Sequence, residues 1–176
     1  MKFDVAEWFN WRYLLTLLTV FAACYLLIYL AAEQSYCNAT MVQVESTYQG
    51  IVELRENITW LSIFVNNFMV SIYLLVPLAG MLYFFVALWN TGEIVGLLSV
   101  ATGNTPFGYL TAITFPVALF EVFAYSILAA EIVYLLALLV TKNGFMDRLT
   151  AHSWRSFLLY VGVLLLIAYV EATLIG

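Results

Sequence analysis

The chain has 176 residues, of which 65% are hydrophobic, 17% aromatic and only 10% charged. Soluble domains carry about 25% charged residues, so a water-soluble globule is excluded; lipid is the solvent that suits this surface. The net charge of −5 is spread between apolar runs, and six scattered basic residues make no stripe that tracks a phosphate backbone, which excludes nucleic acid as a partner.

Four apolar segments follow in chain order, at about residues 12–32, 59–89, 110–140 and 154–175. Each exceeds the roughly 20 helical residues needed to cross a hydrocarbon core. The first is too long for the apolar region of a cleaved signal peptide and reads as a retained helix. Aromatic anchors mark the ends: Trp8, Trp11 and Tyr13, then Trp60, Trp89 and Trp154. The expected fold is all-α, a polytopic membrane bundle forming one domain with four to five transmembrane helices. Residues 12–32 and 154–175 are its first and last spans.

Residues 33–58 form the one clearly hydrophilic stretch, expected as an extracellular loop. It carries Glu33, Glu45, Glu53 and Glu56 against Arg55, and two sequons for N-linked sugar at Asn38 and Asn57. Lys2 and Arg12 place the N-terminus in the cytoplasm. The basic residues Lys142, Arg148 and Arg155, in and beside a polar loop at 141–153, also prefer that side. Four crossings would leave them outside, and five bring them in, with breaks near Pro77 and Gly103.

The segments at 59–89 and 110–140 are too long for one upright helix, and Pro77 with Gly80, and Pro116, offer breaks or kinks. Between them, residues 91–102 begin polar, which predicts an interfacial or re-entrant helix. Gly92 and Gly96, spaced four apart beside Asn90, predict close backbone packing there.

The inventory leaves little room for catalysis. The one histidine, His152, sits beside a basic loop, so haem ligation, a zinc site and a hydrolytic triad all lack ligands or a base. The expectation is no cofactor, no metal and no catalytic centre. Cys24 and Cys37 lie at different depths and are expected as free thiols. The polar residues at membrane depth are Asn66, Asn67, Glu121 and Glu131, with Glu171 near the end of the last segment. A carboxylate there must meet protein or a partner. Glu121 and Glu131 lie about 80° apart around a helix, so they cannot form one tight pair. Two roles stand open for them: a proton or cation relay, or polar glue between helices, with Glu121 bonded to Asn66, Asn67 or a freed carbonyl near Pro116.

The order Asn66-Asn67, Gly80, Asn90 with Gly92 and Gly96, then Pro116 and Glu121, resembles the stage II sporulation protein M family over residues 59–140. The chain departs from it at Thr91, inserted between Asn90 and Gly92, and at Val117-Ala118, where the family has His-Gly. The resemblance implies a non-enzymatic membrane scaffold or accessory subunit that organises partner proteins in an envelope complex. The alternative is a permease-like subunit working with a separate ATPase, docked through residues 93–98; a membrane enzyme comes third. Partners on either leading reading are the lipid bilayer and other membrane proteins, in a hetero-complex or a homodimer.

Overall fold

The computed structural model describes residues 10–56, 59–74, 79–113, 117–141 and 144–175. Among them the chain is helical throughout: α1 Trp11–Asn38, α2 Met41–Glu56, α3 Trp60–Leu74, α4 Ala79–Thr102, the single turn α5 Pro106–Gly108 running into a π-helical turn Tyr109–Ile113, α6 Val117–Thr141, α7 Phe145–Ala151 and α8 Ser153–Ile175. Four helices, α1, α4, α6 and α8, are long and apolar enough to cross a membrane, and α3 is a shorter apolar helix. Leucines such as Leu18, Leu30, Leu82, Leu158 and Leu166 project outward from them. Such exposure is ruinous in water and neutral in hydrocarbon, so the chain is a multi-pass membrane protein.

Helix starts are written in short polar signals. Asn10 caps α1 by accepting from the Tyr13 amide at 2.9 Å. Thr40 and Gln43 cap α2 reciprocally: the Thr40 amide donates to Gln43 Oε1 at 3.1 Å and the Gln43 amide donates to Thr40 Oγ1 at 3.4 Å. Thr59 and Ser62 repeat the device at α3. At the end of α4, Gly103 adopts φ 69°, and the Asn104 amide donates back to the Ser99 carbonyl at 2.9 Å. That left-handed residue lets the chain turn off and satisfies an orphan carbonyl.

Three expectations are corrected. The hydrophilic stretch 33–58 is not an extended loop: residues 33–38 complete α1, and Met41–Glu56 is a helix laid on α4 through Val44. Residues 91–102 are not a separate interfacial or re-entrant helix but the second half of α4. Their polar residues Asn90, Thr91 and Glu93 stay exposed, while Gly92, Val95 and Gly96 turn inward, so hydropathy falls without the helix ending. The polar loop 141–153 contains the short helix α7.

Register fixes the helix directions. A Cβ on Gly92 would strike the Ile28 carbonyl and lie 2.5 Å from Ala31 Cβ, and one on Gly96 would strike the Ala32 carbonyl and lie 2.8 Å from Ser35 Cβ. Contacts advance together along both chains, so α1 and α4 run parallel at backbone distance. The helix α6 runs the other way, with Tyr13 edge-on to Tyr134 and Phe21 edge-on to Phe123. The return of α8 brings Ser153 and Ser156 at its start to Glu131 in the second half of α6. The end of α3 meets the start of α4 through Tyr73 and Tyr83, 4.7 Å between ring centroids.

Candidate functional site

Two polar clusters lie inside the bundle. The first closes the end at which α1 begins. There Glu131 of α6 and Arg148 of α7 are 3% and 4% exposed and face each other as a fork. Nε donates to Oε1 at 2.8 Å and Nη2 to Oε2 at 2.5 Å. Ser153 donates to Oε1 at 2.8 Å and Ser156 to Oε2 at 2.7 Å. A carboxylate offers about four lone-pair positions, and all four are taken. The guanidinium lies 4.4 Å from the ring centre of Tyr13 and 5.1 Å from that of Tyr134, a cation between two π faces. Asn10 Nδ2 donates to the Tyr134 hydroxyl at 3.3 Å, and the Tyr13 hydroxyl donates to Ser156 at 3.4 Å. One charge pair thus ties α1, α6, α7 and α8 together.

The sequence fold back that makes this possible is short. Gly144, at φ 68°, starts α7, and the His152 amide donates to the Arg148 carbonyl at 2.9 Å to end it. The short helix α7 therefore carries Arg148 back alongside the last turns of α6, to Glu131 and Tyr134. His152 occupies the turn into α8, and Arg155 is buried on α8 with its guanidinium 5.4 Å from the Trp154 ring centre.

The second cluster sits at mid-depth. Glu121 on α6 accepts from Asn67 Nδ2 of α3 at 2.5 Å. One turn farther along α3, buried Ser71 accepts from the Tyr160 hydroxyl of α8 and donates to the Asn67 carbonyl at 3.0 Å. Glu171 is near enough to act on Glu121 electrostatically. This cluster fastens the short α3 to α6 and α8. A hydrogen bond of this kind between membrane helices is worth about 0.6–2 kcal/mol.

The remaining predicted positions fall apart. Asn66 is exposed on α3, and Asn90 is exposed on α4. Gly92 and Gly96 are buried against α1 within the same chain, so that strip is not free for another helix. Pro77, Pro116 and Asn57 lie outside the described residues. Asn38 is the last residue of α1, exposed, with its amide bonded to the Gln34 carbonyl at 2.8 Å. Among the described residues no group of three or more His, Cys, Asp or Glu side chains is placed to hold a metal. A shallow polar groove of about 240 Å³ opens at the far end of α1, lined by Gln34, Ser35, Asn38, Gln43, Glu93 and Leu97.

Sequence reasoning missed the Glu131–Arg148 fork and the two serines. The available signal was Arg148 itself, a cation in the short segment between two spans, where it must either snorkel to water or find a carboxylate. Reasoning also missed that both sequon threonines, Thr40 and Thr59, cap the helices that follow them. No protein family, no curated protein and no solved structure matches the chain.

Proposed function

We propose that the protein is a non-enzymatic membrane scaffold or accessory subunit that organises other integral membrane proteins. The observation that carries the reading is the saturation of Glu131. A carboxylate whose four lone-pair positions are filled by Arg148, Ser153 and Ser156 has no position left over for a cation or a substrate. Its service is mechanical: it holds four helices in one arrangement, as a platform for partners requires.

On this reading the chain crosses the membrane five times. The parallel course of α1 and α4 supports it, since α3 must return the chain between them. The end bearing Arg12, Arg148 and Arg155 then faces the cytoplasm, and α2, with Asn38, faces outside with the C-terminus. The permease alternative loses support from the same register. Glu93 lies level with the later half of α1, toward the end opposite the basic cluster, and a cytoplasmic ATPase would dock at the other end. The sequons at Asn38 and Asn57 fit an outer surface, and their threonines also have a capping role that needs no sugar.

Purification of the native protein from its own membranes, with mass spectrometry of what accompanies it, tests the function. The expected result is another integral membrane protein in stoichiometric amount. An ATPase in its place, or the chain alone, would overturn the scaffold reading. Single cysteines at 144–151 should label from the cytoplasmic side only; labelling from outside refutes five crossings.

A further inference from the structure

Asn66 is a polar group inside the membrane that neither cluster uses. Glu121, bonded to its neighbour Asn67, lies two residues from Phe123, which packs on Phe21. Phe21 is ten residues along α1 from Trp11, so this level is about 15 Å into the membrane, close to the middle of a core of about 30 Å. Successive helical residues point about 100° apart. With Asn67 turned inward to Glu121, Asn66 turns out to the exposed surface, and its carboxamide has no hydrogen bond among the described residues. A carboxamide bare to hydrocarbon costs several kcal/mol.

The surroundings of Asn66 have a pattern. Ser62, Asn66, Met69 and Tyr73 are all exposed, at spacings of four, three and four residues, on one stripe of α3. That is the seam spacing by which one transmembrane helix packs along another. No charge interrupts it.

We propose that this stripe is the two-fold interface of a homodimer, in which the Asn66 carboxamides of two copies pair near the bilayer midplane. A second copy is the occupant the geometry favours. A two-fold axis along the membrane normal brings α3 against α3 in parallel and sets both Asn66 residues at one depth by symmetry. A carboxamide is donor and acceptor at once, so two identical ones satisfy each other. An unrelated helix would need a polar group of its own at that depth. The dimer does not rest on the scaffold reading: a homodimer without other partners sustains the one and sinks the other.

The full chain is reconstituted in lipid vesicles at falling protein-to-lipid ratio, and self-association is read by energy transfer between labelled copies. The Asn66→Leu substitution is expected to weaken the dimer roughly three- to thirtyfold, the range that intramembrane polar bonds span. The Asn66→Gln substitution, which keeps the carboxamide, is expected to retain it. In a Cys24→Ala, Cys37→Ser background, Met69→Cys should cross-link to a second copy and Leu166→Cys, exposed on α8, should not. Helicity by circular dichroism separates lost association from lost folding. Monomer at every ratio, an unweakened Asn66→Leu dimer, or cross-linking of Met69→Cys in native membranes to a different protein would each overturn the proposal.

Discussion

Replacing Arg148 by methionine is the sharpest test of how the bundle end is held. The change keeps an unbranched apolar stem and removes the guanidinium that supplies two of the four bonds to Glu131, at 2.8 and 2.5 Å. Ser153 and Ser156 remain, but they cannot neutralise a carboxylate that is 3% exposed. Breaking a buried pair from one side costs about 3–5 kcal/mol, because the abandoned charge stays desolvated. Loss of the cation from between Tyr13 and Tyr134 adds about 1–2 kcal/mol. The expected total is about 4–7 kcal/mol, measured by unfolding in mixed detergent micelles with tryptophan fluorescence and circular dichroism. The double variant Glu131→Gln with Arg148→Met removes both charges and leaves an amide oxygen for the serines. Exchange of a buried pair for neutral groups is close to neutral, so it should recover most of the loss. A single variant within about 1 kcal/mol of the parent, or a double variant no better than the single, refutes the account of Glu131 as a charge held by Arg148.

Further expectations concern the other contacts. Gly96→Ala drives a Cβ into the Ala32 carbonyl and Ser35, so α1 and α4 must separate; overpacking of this kind costs about 1–3 kcal/mol by the same unfolding assay. Asn67→Leu strips Glu121 of its donor and should cost about 1–3 kcal/mol, whereas Glu121→Gln should change stability by less than about 1 kcal/mol and leave partner capture intact. Loss of partner capture in Glu121→Gln would instead support an ionisable role for this residue. Tyr160→Phe deletes the hydroxyl that binds Ser71 and should loosen α3 from α8 by about 1 kcal/mol, seen as faster proteolysis of the segment before α3.

The all-helical fold was legible, and with it the spans of α1, α6 and α8, because hydrophobic runs of this length have one common outcome in lipid. The second half of α4 was misread for a physical reason. Hydropathy registers polar residues whichever way they point, and Asn90, Thr91 and Glu93 are polar on the exposed side of a helix whose opposite side is glycine. The stretch 33–58 was misread likewise, since the polar residues of α2 are exposed on a helix that packs inward through Val44. The bond between Glu121 and Asn67 was among the alternatives that inventory alone left standing. The fork between Glu131 and Arg148 was invisible, because it depends on a tight reversal around Gly144 and His152 that brings a residue of a polar segment back alongside α6.

The parallel pairing of α1 and α4 bears on how the protein is made. The strip formed by Ile28, Ala31, Ala32 and Ser35 is shaped to receive glycines, and those glycines emerge from the ribosome only after all of α2 and α3. Through that interval α1 waits in the bilayer with its best docking strip bare. Any other helix with small residues at matching depth can occupy the strip in the meantime. Lengthening the segment between α2 and α3 should raise the fraction of newly made chains lost to membrane proteolysis, even though the finished bundle is unchanged.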